Sequence, residues 1–465
     1  MDRIKSLPAE WQTNLLPEIQ SQVRASERKV VVLDDDPTGT QTVHGIPVLT
    51  EWSVASLRAE LANDLPCFYI LTNSRSLPLP GAQAMNAEIA RNLREASQQA
   101  QRDFVVVSRS DSTLRGHFPG EVDALANALE QNFDGWLIIP FFLEGGRYTI
   151  GNVHYVAEGD KLVPAGETPF ARDSAFGYRA SNLREWVEEK TGGRVRADQV
   201  ATISIDDLRI GGPNRVAEKL MMIARGQMCA VNAASYRDVE VFVAGLLIAE
   251  AQGKRFLYRT AASFVRVRAG IEPRALLTKS DLQLPKSGGG LVVVGSYVPK
   301  TTAQVEALLA QTKITGVEIS VDALLDARRE NEIARVALSA ENAMKQNQDV
   351  VIYTSRQLVT VNDVEASLTI GQRVSDGLIE ILHRINTMPR YLIAKGGITS
   401  SDVATKGLNV KRAMIRGQIL PGVPVWRLGN ESRYPGLDYI VFPGNVGTPN
   451  SLAEIIQRMK DERFA

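Results

Sequence analysis

The chain has 465 residues, 44% hydrophobic and 23% charged, with Lys plus Arg and Asp plus Glu both totalling 53. That length predicts two domains, and zero net charge gives no long-range pull toward nucleic acid or an anionic membrane. Cys67 and Cys229 lie in apolar surroundings and read as buried free thiols. With no apolar run long enough for a membrane span and no apolar signal core at the start, a cytoplasmic protein is expected.

Residues 1–27 read as a polar, partly amphipathic helical extension. The first strand follows within 28–40, RKVVVLDDDPTGT. Its four apolar residues, Val30 to Leu33, show no alternation, which predicts a strand buried on both faces in a parallel sheet. Asp34, Asp35 and Asp36 then stand together at its carboxyl end, where open α/β sheets bind ligands. Three like charges so close need cations, a metal or hydrogen-bond donors opposite them.

Further strands are predicted at 67–71, 104–107 and 136–139, separated by helical stretches, the pattern of right-handed βαβ units. Their ends deliver Asn73 and Arg75, then Arg109, Ser110, Asp111, Ser112 and Arg115, then Arg147, to the edge that carries the aspartates. The result is a candidate anion site of mixed charge. Residues 150–175 read as a hairpin excursion, and α/β patterning resumes with strands near 201–205, 229–232 and 256–259. Three glycines after Pro285 mark 284–290 as a flexible linker, so the first domain is expected over 28–283 and the second over 291–465.

Beyond the linker, strands are expected at 291–294, 317–321, 350–353, 391–394 and 439–442. Three of them end in small residues followed by a helix: Gly295-Ser296, Gly396-Gly397-Ile398-Thr399 and Gly444-Asn445. Small residues let backbone amides approach an anion, and helix N-termini present unpaired N–H groups, so polyphosphate is the ligand this surface suits. No GxxxxGK[ST] occurs and no GxGxxG follows a strand, which disfavours a P-loop or Rossmann site. The expected fold is α/β in two domains, each a largely parallel sheet flanked by helices, with the active site in an interdomain cleft. A small anion in one domain and a nucleotide in the other predict phosphoryl transfer.

The motifs Asp35-Asp36-x-Thr38-Gly39, Asp111-Ser112-Thr113-Leu114-Arg115-Gly116, Gly146-Arg147-x-Thr149, Glu167-Thr168-Pro169, Gly396-Gly397-x-Thr399-Ser400 and Gly444-Asn445-x-Gly447 run in order through residues 30–450. The set resembles the four-carbon acid sugar kinases, ATP-dependent enzymes that phosphorylate threonate, erythronate or 3-oxo-tetronate. The resemblance implies that Asp35, Arg75, Arg109, Ser110, Asp111, Ser112 and Arg147 contact the sugar acid. It implies that Ser296, Gly396, Gly397, Ile398, Thr399, Gly444 and Asn445 contact ATP. Asp35 is then the candidate base that orients a terminal hydroxyl and accepts its proton, and Arg75 and Arg109 are candidates to clamp the carboxylate. Mg²⁺ is expected to arrive with ATP, not in a protein cage. This chain departs from the family at Pro37, where an aromatic is usual, at Arg109, where a lysine is usual, and at Ile398, which replaces the Glu of a GGET motif.

Two rivals stand beside that reading. Leu33-Asp34-Asp35-Asp36-Pro37-Thr38 fits the hhhDxDxT pattern of haloacid-dehalogenase-type phosphatases, with Asp34 as nucleophile and Asp36 as acid/base. The late paired acids of that family are missing. A sugar-acid sensor without catalysis would have no use for a nucleotide domain. The expected partner is a small sugar acid, with neither nucleic acid nor membrane, and a homodimer is open to the chain.

Overall fold

Lys29–Asp34 forms the first strand, β1, and every residue of it is buried. A strand so enclosed must have neighbours on both edges and layers on both faces. The computed structural model that shows this describes residues 2–296, 298–355, 364–444 and 446–460. The chain divides into two units, 1–273 and 274–465.

In the first unit β1 is followed by β2 (Pro47–Leu49), β3 (Cys67–Leu71), β4 (Phe104–Arg109) and β5 (Gly135–Ile139). Next come β6 (Arg147–Ile150), β7 (Val153–Glu158) and β8 (Lys161–Pro164), then β9 (Ala201–Ile203), β10 (Gln227–Val231) and β11 (Phe256–Thr260). Eight of these lie in the order β2-β3-β1-β4-β11-β5-β10-β9 with every pairing parallel. The chain adds β2 and β3 on one side of β1 and then crosses to β4 on the other. That reversal opens a crevice at the carboxyl ends of β1 and β4, the place where such sheets bind ligands.

The expected hairpin at 150–175 begins earlier, at Arg147, and is a three-stranded antiparallel sheet, β6-β7-β8. The amino-terminal extension contains the helix Leu16–Ser26, whose buried Leu16, Ile19 and Val23 pack it on the helix Tyr236–Ala251. Cys67 and Cys229 are buried free thiols in the core.

The second unit holds β12 (Leu291–Val294), β13 (Thr315–Ile319), β14 (Val350–Thr354), β15 (Leu392–Lys395), β16 (Arg412–Leu420), β17 (Val423–Leu428) and β18 (Asp438–Phe442). Their order is β13-β14-β12-β15-β18-β17-β16, parallel up to β18 and antiparallel beyond it. Here too the chain reverses direction beside its first strand, between β12 and β15. The α/β alternation does not predict the antiparallel pair β16 and β17. Strand β16 is half exposed, with buried and partly exposed residues alternating along it.

The boundary falls earlier than expected, before Arg274 instead of after residue 283. Leu277 and Leu282 are buried in the core of the second unit, and the Leu277 amide donates to the Gln418 carbonyl on β16 at 2.7 Å. Nor are the glycines after Pro285 a loose tether. A Cβ on Gly289 would lie 1.9 Å from the Gln348 carbonyl oxygen, and one on Gly290 would enter the Tyr391 ring at 2.0 Å. Gly289 and Gly290 are glycines because the backbone there is packed too closely for any side chain, whereas Gly288 has room for one and takes a left-handed φ of 97°.

Candidate functional site

The three aspartates at the end of β1 have three different environments. Asp34 is fully buried, and its Oδ1 accepts from Arg109 Nη1 at 3.0 Å. A Cβ on Gly39 would sit 2.1 Å from both Asp34 carboxylate oxygens, so the loop closes directly over them. Burial, only partly opposed by Arg109, pushes Asp34 up to about 7. Asp35 lies between Arg75 Nε, at 3.2 Å, and Arg109 Nη1, at 3.6 Å. Burial again outweighs the arginines and raises it. Asp36 behaves oppositely: burial is overcome by Arg75 Nη2, 2.6 Å away, and by hydrogen bonds from Thr38, so it stays ionised at lower pH. It also caps the short 3₁₀ helix Pro37–Thr40 through the Thr38 amide. The enclosure of Asp34 beneath Gly39 leaves no approach for a phosphoester, which removes the nucleophile of the phosphatase reading.

Strand β4 places Arg109 beside Asp34, and the loop after it supplies the rest. Ser110 is buried, its amide bonded to the Thr260 carbonyl at 2.8 Å. Asp111 is 2.9 Å from Arg115 Nε and 3.7 Å from Arg75 Nη1, and these cations outweigh burial to hold it well below the usual carboxylate range. Leu114 takes the left-handed conformation (φ 69°), which costs a non-glycine residue roughly 1–2 kcal/mol. Its fully buried side chain offsets that cost. Gly116 follows at φ 118°, and a Cβ there would point at Asp35 Oδ2, 3.5 Å away.

Two residues outside the predicted site hold this loop. Arg259, buried in β11, donates from Nη2 to the carbonyls of Asp111 (3.1 Å) and Arg115 (3.0 Å) and lies over the Trp186 ring. Burial lowers it to about 10. The visible signal was an arginine inside an otherwise apolar strand, FLYRT. His154 on β7 bonds the Ser112 carbonyl through Nε2 at 2.7 Å and Thr149 through Nδ1 at 2.9 Å. Burial lowers it to about 3, so it is a neutral strut. Arg147 opens β6 and lies over the Phe170 ring at 5.5 Å, with Arg115 over the same ring at 5.2 Å. The structure thus brings Asp35, Arg75, Arg109, Ser110, Asp111, Ser112 and Arg147 into one neighbourhood of the first unit.

In the second unit, adjacent strands β12, β15 and β18 end in the three small-residue loops. Thr301 Oγ1 donates to Ser296 Oγ at 3.2 Å and reaches the Gly444 carbonyl at 3.5 Å. A Cβ on Gly295 would strike Thr399 Oγ1 at 2.4 Å, and one on Gly396 (φ 119°) would meet Ser296 Cβ and Thr399 Oγ1 at 3.2 Å each. Gly397 opens the helix Gly397–Asp402, and Ile398 is 60% exposed. Asn445 lies outside the described residues. Lys395 ends β15 fully buried, donating to the carbonyls of Pro443 (2.5 Å) and Gly444 (3.2 Å) with its ammonium over the Phe442 ring. It joins two of the loops. Asp402 is occupied by Lys406 at 2.9 Å and by Ser375. Among the described residues no group of three or more His, Cys, Asp or Glu side chains is arranged to hold a metal ion, and no helix is long and apolar enough to cross a membrane.

Comparison with known proteins agrees with this division. A sugar-binding N-terminal domain model matches residues 30–268, and a nucleotide-binding C-terminal domain model matches 291–452. A D-threonate kinase of Salmonella typhimurium is 25% identical over 93% of this chain and 99% of its own length. A D-erythronate kinase of Heliobacterium modesticaldum is 25% identical over 77% of this chain and 79% of its own. A 3-oxo-tetronate kinase of Burkholderia multivorans is 27% identical over 83% and 85%. Among solved structures, a Haemophilus influenzae protein superposes with a TM-score of 0.62 at 20% identity, covering 92% of this chain and 99% of that one. By its domain models, motif order and fold, the chain belongs to the four-carbon acid sugar kinase family.

Proposed function

We propose that this protein is an ATP-dependent kinase that phosphorylates a terminal hydroxyl of a four-carbon sugar acid of the threonate, erythronate or 3-oxo-tetronate class. The observation that carries the reading is the pairing of two crevices. One, at β1 and β4, is lined by aspartates and arginines. The other, at β12 and β15, is lined by glycine, serine and threonine. A polyhydroxy acid needs hydrogen-bond acceptors for its hydroxyls and a cation for its carboxylate, whereas a polyphosphate needs backbone donors and room.

In this mechanism Asp35, Ser110, Asp111 and Ser112 orient the acid's hydroxyls, and Arg75, Arg109 and Arg147 supply positive charge. Asp35 aligns the attacking hydroxyl and takes its proton as the bond to the γ-phosphorus forms and the bond from that phosphorus to the bridging oxygen breaks, releasing ADP. Its raised pKa suits a base, because the proton it accepts is then held. Ser296, Gly396, Gly397, Ile398, Thr399 and Gly444 cradle the phosphates of ATP. The fit is supported by Gly295 and Gly396, where any larger residue would crowd Thr399 and Ser296. Magnesium, bound with ATP through phosphate oxygens, would neutralise charge on the transferring group.

Coupled measurement of ADP release with Mg-ATP across four- and five-carbon sugar acids tests the proposal. Turnover with a tetronate is the expected result. No ADP release from any acid, by a folded protein that binds ATP, would overturn it.

A further inference from the structure

Five arginines gather around the aspartates of the first unit, and four of them have oxygen partners. Arg75 is engaged by Asp35, Asp36 and Asp111, and Arg109 by Asp34 and Asp35. Arg115 is held by Asp111 and Asp173, and Arg259 by two carbonyls. Of these five, Arg147 alone has no carboxylate or carbonyl partner for its guanidinium among the described residues, and its Nε, like those of Arg75, Arg109 and Arg259, is buried without a hydrogen bond. Burial and the neighbouring Arg115 cation both work against its charge, with Asp111 opposing them only in part. Arg147 is half-buried, and a guanidinium that is partly removed from water and only partly compensated is costly unless an anion completes it.

From this we infer that Arg147 receives the carboxylate of the sugar acid, while Arg75 and Arg109 serve chiefly to hold the aspartates that handle its hydroxyls. The inference rests on the kinase reading for the identity of the acid. The Phe170 ring fixes one face of the guanidinium, leaving its edge to form the two parallel N–H···O bonds that a planar carboxylate accepts. The position is rigid as well. Arg147 exchanges backbone bonds with Phe142 at 2.8 and 3.1 Å. Two residues on, Thr149 faces His154, which is bonded to the Ser112 carbonyl. The residue that would read the carboxylate is therefore tied to the loop expected to read the hydroxyls.

The test is calorimetric titration of wild type, R147Q and R147K with erythronate and threonate, and with the tetritols that carry hydroxyls but no carboxylate. Loss of two charge-assisted hydrogen bonds should weaken acid binding by R147Q on the order of 10²-fold. Tetritol binding should stay unchanged, and R147K should recover part of the loss. In turnover the same loss should fall on the KM for the acid and leave kcat largely intact. Equal weakening of acid and tetritol would make Arg147 structural and overturn the inference, as would acid binding unchanged in R147Q or absent from wild type. Binding is read without ATP, so a wild type that binds the acid but releases no ADP would sink the kinase reading and leave this assignment standing.

Discussion

Asp34 and Arg109 are register partners on adjacent parallel strands, and their buried side chains meet at 3.0 Å. The ion pair is thus set by the sheet itself. Neighbours across a parallel ladder share a face, so a carboxylate and a guanidinium at matched positions must meet. R109M would strand Asp34 and Asp35 as buried carboxylates without that cation. Removing one member of a buried pair costs about 3–5 kcal/mol, which urea unfolding would show as an earlier midpoint. The D34N/R109Q double variant should lose less than the sum of the single losses.

D35N tests the base. At saturating substrates kcat should fall by about 10²–10⁴-fold, the usual contribution of a positioned proton acceptor, with both KM values changed much less. The pH profile carries a second signature. Asp35 must be unprotonated to accept a proton, so below its pKa activity falls tenfold per unit. Because burial raises that pKa, the acid limb should lie above the ordinary carboxylate value of 3.8. D35N should lose the limb together with the rate.

Substitution at Gly396 separates the two crevices. Its φ of 119° and the 3.2 Å approach to Ser296 and Thr399 leave no unstrained place for alanine. G396A should raise the KM for ATP and leave binding of the sugar acid, followed by calorimetry without nucleotide, at the wild-type value.

Lys395 predicts a stability effect. Burial, with Lys300 adding to it, lowers its pKa from 10.5 to about 7. Between those values the unfolded chain holds a proton that the native chain does not, so this residue makes stability rise with pH by up to about 1.4 kcal/mol per unit. Unfolding of K395M measured from pH 7 to 9 should lack that rise. An identical pH slope in wild type and K395M would count against it.

Much of this was readable beforehand because strand ends announce themselves. An apolar run that stops at Asp-Asp-Asp or Gly-Gly-Ile-Thr marks both the element and its chemistry, and the reversals beside β1 and β12 bring those ends together. The residues that escaped notice act through partners remote in sequence. Arg259 supports a loop centred on Asp111, 148 positions away, and His154 acts through the Ser112 carbonyl, which no pattern of side chains reveals. Alternation along Arg412–Leu420 was a usable signal for β16, but its interior glycine and two arginines weakened it. Gly289 and Gly290 misled for a different reason: sequence shows that a side chain is missing, not whether open space or a neighbouring ring is the cause.

The path of residues 274–290 decides where the polypeptide can be cut. A C-terminal half started at Leu291, where the nucleotide-binding domain match begins, would discard Leu277 and Leu282 and uncover the apolar surface they seal. It would also lose the Gln283 amide that donates to Asp438 at 3.0 Å. Such a fragment should aggregate, whereas one beginning at Arg274 should stay in solution and retain nucleotide affinity.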